Sequence, residues 1–151
     1  MTPSSVVVDA SVAVKWVLPE EHTDRAHALM AASIEARQRL VGPPHLPVEV
    51  INAIYQRRRR GEPAQRLSEA EADQAVARFF AFPLELVYPP TLYAQAFGFA
   101  RTHHLSNIYD SAYVVLAELL ATTLWTADET LLNVLGNAAP WVRWIGAYPL
   151  P

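Results

Sequence analysis

The chain contains no cysteine. That excludes a disulfide framework, a thiolate zinc site and a cysteine nucleophile together. Charge is scarce as well: Asp, Glu, Lys and Arg make up 18 % of the residues, below the average for soluble domains. Twelve basic residues against fifteen acidic ones leave a net charge of −3, so contact with a polyanion would have to be local. The five glycines form no G-x-G-x-x-G cluster, and the five histidines show neither H-E-x-x-H nor H-x-x-x-H spacing. A dinucleotide-binding turn and the common helical zinc site are thereby removed. The longest apolar stretch, residues 108–125, is broken by Asp110 and Glu118, so no membrane span is expected. The first residues carry no basic region and no apolar run long enough for a signal peptide, which makes the cytoplasm the expected location.

What is present is apolar. Hydrophobic residues reach 52 % of the 151 positions, enough for a sizeable core, and a chain of this length is expected to form a single domain over residues 1–151. Val6-Val7-Val8 reads as a short buried strand. A helical stripe of Val12, Trp16 and Val17 follows and is stopped by Pro19. Thr23 to Arg39 reads as one helix. A helix entered through Pro47 carries Val48, Ile51, Ile54 and Tyr55, looks buried nearly all round, and ends near Gly61. Ser68 and Glu71 make a capping box for a helix reaching about Phe80. Then come a strand at Leu84–Val87, a helix through Phe97 and Ala100, and a helix from Ile108 to about Leu120. A strand at Thr122–Thr126, a short helix at Glu129–Leu135 and a strand at Val142–Ile145 complete the pattern. Strands alternating with helices predict an α/β fold: a mostly parallel central sheet flanked by helices.

Ligands of such a sheet gather beyond the carboxyl ends of its strands. Asp9 follows Val6–Val8, and Asp128 follows the strand ending at Thr126. Each has a plain alternative as a helix N-cap. Glu49 stands among Val48, Val50, Ile51 and Ile54, with Asn52 three residues on and so on the same helical face. A first-turn glutamate favoured by the helix dipole explains it equally well. Asp110 opens an apolar helix behind a Ser106 or Asn107 cap, and it too reads as a dipole-favoured acid when taken alone.

Jointly the four acids predict convergence at one edge of the sheet. Two carboxylates about 4 Å apart repel by roughly 4 kcal/mol at an effective dielectric of 20. Clustered acids therefore stay protonated or hold a cation. An all-oxygen donor set points to Mg²⁺ or Mn²⁺ rather than zinc, and to phosphodiester hydrolysis as the chemistry served best.

Four segments together resemble a family. Residues 6–16, Val-Val-Val-Asp-Ala-Ser-Val-Ala-Val-Lys-Trp, resemble the opening of PIN-domain ribonucleases, especially the toxins of VapBC toxin–antitoxin pairs. Residues 46–53 around Glu49, residues 106–113 around Asp110 and residues 125–128 ending in Asp128 resemble the second, third and fourth acidic motifs, in the family's order. The resemblance implies a three-layer α/β/α PIN-like fold and a metal-dependent endoribonuclease using Mg²⁺ or Mn²⁺. It makes Asp9, Glu49, Asp110 and Asp128 the metal-binding and catalytic acids. One of them, or a metal-bound hydroxide beside them, would activate the attacking water. Ser11, Asn52 and Thr126 would orient ligands or water around them. It further implies an RNA substrate, an antitoxin partner and a homodimer. Glu129-Thr130 stands where many relatives place a basic residue, which touches substrate contacts rather than the metal site.

The only dense basic run is Arg57, Arg58, Arg59 and Arg60. It reads either as a solvated helix end suited to the dipole or as a phosphate- or partner-docking patch. Trp16, Trp125, Trp141 and Trp144, like Tyr93, Phe97 and Phe99, are expected in packing. A haloacid-dehalogenase-like phosphatase needs a second aspartate where Ser11 stands, so it falls away. A non-catalytic module that keeps the fold to bind RNA or protein, or a processing nuclease without an antitoxin, stays as the alternative.

Overall fold

Three successive β-branched residues favour extended backbone, and they form β1 (Ser5–Val8), with Val7 and Val8 fully buried. The structure is a computed structural model and describes residues 3–151. Four further strands follow: β2 (Arg39–Gly42), β3 (Leu84–Leu86), β4 (Leu124–Thr126) and β5 (Val142–Trp144). They make one sheet in the order β3-β2-β1-β4-β5, with every pairing parallel. A mostly parallel sheet was the expectation; this one is wholly parallel.

Seven α-helices flank it among the described residues: α1 (Ala10–Ala13), α2 (Thr23–Glu35), α3 (Leu46–Arg59), α4 (Glu69–Ala81), α5 (Leu92–His103), α6 (Ile108–Leu119) and α7 (Glu129–Leu135). α6 is apolar all round, and each residue from Ser111 to Ala117 is buried, as expected of a helix running through the core. The capping box of α4 forms as the sequence predicts, Ser68 and Glu71 each bonding the other's backbone N–H.

Three local expectations are corrected. The helix read from Thr23 to Arg39 stops at Glu35, because Arg37 adopts a left-handed φ of 54° and turns the chain into β2. That strand went unread, since only Leu40 and Val41 carry its apolar signal between Arg39 and Gly42. The stripe through Val17 is a single α-turn, α1, continued by a 3-10 turn at Val14–Trp16. Finally, α3 is not buried nearly all round: Leu46, Val50 and Ile54 face the core, while Val48 is 65 % exposed.

The strand order places the chemistry. From β1 the chain builds outward through β2 and β3, then returns to the other side of β1 with β4 and β5. The carboxyl ends of β1 and β4 therefore adjoin at the point where strand order reverses, the usual ligand crevice of an open parallel sheet. Val8 pairs with Trp125, which sets Asp9 beside Thr126. At the end of β2, Gly42 lets the first turn of α3 approach closely: a Cβ there would lie 2.4 Å from Leu46 Cδ1. The start of α3, and with it Glu49, is held against the same end of the sheet.

Candidate active site

Asp9 ends β1 and is 5 % exposed. Its Oδ1 accepts from the Val12 N–H at 3.2 Å and from Ser11 Oγ at 2.5 Å, and its Oδ2 accepts from Thr126 Oγ1 at 2.5 Å. The same two hydroxyls also accept: Ser11 Oγ from the Ala127 N–H at 2.9 Å, Thr126 Oγ1 from the Asp128 N–H at 3.0 Å. Ser11 and Thr126 thus couple the end of β4 to the carboxylate that ends β1. The N-cap alternative for Asp9 is realised too, but it occupies one oxygen only.

Asp128 caps α7 through Oδ1, which accepts from the Leu131 N–H at 3.0 Å. Asp110 lies in the first turn of α6 behind Asn107. The Asn107 side chain accepts from the Asp110 N–H at 2.8 Å and donates to Asp110 Oδ2 at 3.0 Å. Asp110 and Asp128 share a cleft of about 140 Å³ whose wall includes His104, Ser106 and Thr130. Glu49 accepts from the Tyr113 hydroxyl at 2.8 Å, and His45 Nε2 lies 3.5 Å from the same oxygen.

Electrostatics join the four acids into one group. Burial pushes the Asp9 carboxyl up to about 6 against the downward pull of its three hydrogen bonds, and the Asp110 charge adds to the rise. Burial likewise raises Asp110, opposed by Asn107 and helped by the charge of Asp128. Glu49 is raised by burial, opposed by Tyr113 and helped by Asp110. Tyr113 is held far above an ordinary phenol, first by burial and then by the charges of Glu49, Asp9 and Asp110, so it stays a hydrogen-bond donor. Among the described residues, Lys15, Arg39, Arg57 and Arg58 make their ion pairs with Glu20, Glu85 and Glu69, and none makes one with Asp9, Asp110 or Asp128.

Asp9, Asp110 and Asp128, with no ion pair among the described residues and oxygen donors only, suit a hard divalent cation. The spacing is open: among the described residues, no three His, Asp or Glu side chains stand close enough together to hold an ion. That is compatible with Mg²⁺, which keeps several waters and takes one or two carboxylates plus substrate phosphate oxygens rather than a full protein cage.

The comparisons with known proteins bear on the family and the fold. Residues 6–136 match the PIN domain family. The chain belongs to the PIN-domain family. Ribonuclease VapC12 of Mycobacterium tuberculosis is 33 % identical over 134 residues, covering 89 % of this chain and 95 % of that protein. Ribonuclease VapC3 of Pyrobaculum aerophilum is 30 % identical over 128 residues, covering 83 % and 91 %. Among solved structures, PAE2754 from Pyrobaculum aerophilum aligns over 96 % of this chain and 93 % of its own, with a TM-score of 0.66 at 19 % identity. FitAB bound to an IR36 DNA fragment aligns over 97 % of both chains, with a TM-score of 0.55 at 17 % identity. The expected PIN-like α/β fold is thereby established.

Within this PIN fold the other candidate residues are placed less uniformly. Asn52 is exposed and joins none of the hydrogen bonds around the acids. The arginine run sits at the opposite end of α3 from Glu49, with Arg57 about 12 Å along the axis at 1.5 Å per residue. Arg57 pairs with Glu20 at 2.5 Å and Arg58 with Glu69 at 2.7 Å, and Arg58 and Arg59 lie over the Tyr55 ring. Two contributors escaped sequence reading. Tyr113 stands one turn after Asp110 on the same face of α6, and that i,i+3 spacing was the available signal. His45 has no such signal; only folding brings it to Glu49.

Proposed function

We propose that the protein is an endoribonuclease of the VapC toxin type, which hydrolyses RNA phosphodiester bonds with Mg²⁺ or Mn²⁺ held by Asp9, Glu49, Asp110 and Asp128. The observation that carries this reading is Asp9: a buried carboxylate at the strand-order switch, pushed up by burial and by the charge of Asp110, with no basic partner among the described residues. The relatives named Ribonuclease VapC support it over most of the chain.

A divalent cation, when bound, supplies polarisation of the phosphoryl oxygen and charge stabilisation for the leaving oxygen. The chain's own residues do the rest. Ser11 and Thr126 fix both oxygens of Asp9, and Asn107 fixes Asp110. Tyr113 orients Glu49 from the core side. Of the four acids, Glu49, Asp110 and Asp128 border solvent, and one of them takes the proton of the attacking water. The reading extends to the whole chain, residues 1–151, acting as one domain in the cytoplasm, as a homodimer, under the control of an antitoxin protein. No helix among the described residues is long and apolar enough to cross a membrane. The arginines at residues 57–60 serve as an RNA or antitoxin contact in this reading.

The open spacing of the acids favours a second reading, a non-catalytic module for RNA or protein. Incubation of the purified, antitoxin-free protein with total and transfer RNA separates the two. Cleavage with Mn²⁺ or Mg²⁺, absent with EDTA and absent in Asp110→Asn, is the expected result. RNA that stays intact with every metal would reject the enzyme in favour of the module.

A further inference from the structure

Resting on the ribonuclease reading, we propose that Tyr88, Tyr93, His45 and Tyr109 form a stacking platform for the bases of single-stranded RNA beside the acid cluster. The four rings make a continuous row. Centroids are 5.3 Å apart from Tyr88 to Tyr93, 5.8 Å from Tyr93 to His45 and 5.5 Å from His45 to Tyr109. The row leads into the site. Tyr109 immediately precedes Asp110, and the His45 ring packs 5.0 Å from Tyr113, whose hydroxyl holds Glu49.

Its outer rings are not core. Tyr88 is 59 % exposed and Tyr109 57 % exposed. Each of these two rings makes one aromatic contact inward, Tyr88 with Tyr93 and Tyr109 with His45, and is otherwise open to solvent. The inner pair is fixed instead: His45 Nδ1 lies 3.1 Å from the Tyr93 hydroxyl, and Nε2 lies 3.2 Å from the Tyr109 carbonyl. A carbonyl only accepts, so Nε2 carries the proton, and neutral His45 then accepts the Tyr93 hydroxyl at Nδ1.

The rings are tilted 46° to 59° from one neighbour to the next, so each end of the row presents its own face to a nucleobase, every one of which offers a π-face irrespective of sequence. It also answers a need of the reaction. The acids engage phosphate, which carries no base information, so bases flanking the cleaved bond must be held by something else. Unstacked bases of loops and single strands are what aromatic side chains take up.

The test uses the full chain in EDTA, which blocks the metal-dependent cleavage, and a short RNA strand of mixed sequence, beside its abasic counterpart. Affinities are read by fluorescence anisotropy for wild type, Tyr88→Leu, Tyr109→Leu and Tyr109→Phe. Each leucine variant is expected to weaken binding of the base-bearing strand about tenfold and to leave the abasic strand unchanged. Tyr109→Phe keeps the ring and should keep the affinity. Both positions are exposed, so melting temperatures should not move. Equal weakening of both strands, or no weakening, overturns the platform. So does a change of mass in solution in the leucine variants, which would assign the rings to contact between two copies or with a partner protein. RNA cleavage by the wild type is measured in parallel. Cutting without any tyrosine effect rejects the platform alone, whereas neither cutting nor binding rejects the ribonuclease reading with it.

Discussion

Thr126 donates its hydroxyl to Oδ2 of Asp9 at 2.5 Å across 117 residues of chain, joining the end of β4 to the end of β1. The bond has two effects. It stabilises the charged form of a carboxylate that burial disfavours, and it satisfies an oxygen of a residue only 5 % exposed. Thr126→Val keeps the shape and removes the donor. It should destabilise the fold by about 1–3 kcal/mol and raise the Asp9 carboxyl further. Unfolding in urea at pH 7 checks the first effect, and stability equal to wild type would reject it.

Asp9 also sets a pH dependence. Its carboxyl lies near 6 in the folded chain against 3.8 in the unfolded one. The folded state therefore binds the proton more tightly, and the associated stability is complete below 3.8 and lost as pH rises through about 6. In EDTA this group alone should make the protein about 1–1.5 kcal/mol more stable at pH 5 than at pH 8. Glu49 and Asp110, both raised, act in the same direction. Glu71 and Glu85 are lowered by the Ser68 backbone and by Arg39, so they act in the opposite sense, in a more acidic range. Asp9→Asn should flatten the profile, leave the protein as stable or more so at pH 8, and abolish cleavage. An unchanged slope in that variant would remove Asp9 as its source.

Mass action gives a third expectation. A divalent cation that binds only the folded state should add about 1.4 kcal/mol at ten times its Kd, or roughly 3–6 °C in Tm for a chain of this size. The increment should be larger at pH 8 than at pH 5, because protons compete for the same oxygens. Calorimetry with and without Mn²⁺ measures it. A shift that persists in Asp110→Asn would place the ion elsewhere.

The site was legible in sequence where one local pattern carried the information. Asp9 after Val6–Val8, and Asp128 after Trp125-Thr126, announce strand ends followed by helix starts, and both are N-caps in the fold. Asp110 behind Asn107 is of the same kind. Glu49 is placed by a contact that sequence spacing does not carry: only Leu46, Val50 and Ile54 of α3 are buried, and Gly42 and Leu46 seat its first turn at the sheet. β2 is illegible because two apolar side chains, Leu40 and Val41, make no period, and Arg37 turns the chain without a glycine to mark it. His45 and Tyr93 were illegible for a deeper reason. They meet over 48 residues, and no one-dimensional spacing encodes that contact.

Tyr113 offers a change confined to one hydroxyl. The ring is 1 % exposed and its oxygen donates to Glu49 Oε1. Tyr113→Phe keeps the ring and removes a buried donor to that carboxylate. Stability should fall by about 1 kcal/mol, since Glu49 remains partly solvated. Cleavage should fall by a larger factor than that loss explains, because the acid is then free to rotate out of place. Single-turnover kinetics beside a urea titration compare the two, and full activity in the variant would make Tyr113 a packing residue only.

The four arginines divide by what they already hold. Arg57 completes a cluster with Glu20 and the nearly buried Lys15, whose Nζ lies 3.3 Å from Glu20. Arg57→Ala should therefore lower stability, leaving Glu20 with a single cation. Arg59 and Arg60 are exposed at the end of α3, and neither makes an ion pair among the described residues. Arg60 lies with Arg57 and Gln65 on a pocket wall. Replacing Arg59 and Arg60 by Ala should leave Tm unchanged, yet weaken RNA binding uniformly across sequences. Each lost phosphate contact lowers the slope of log K against log salt by about 0.7 for single strands. Affinity measured at several salt concentrations reads that slope directly. A slope equal to wild type would return Arg59 and Arg60 to the role of a solvated helix end whose cations suit the dipole.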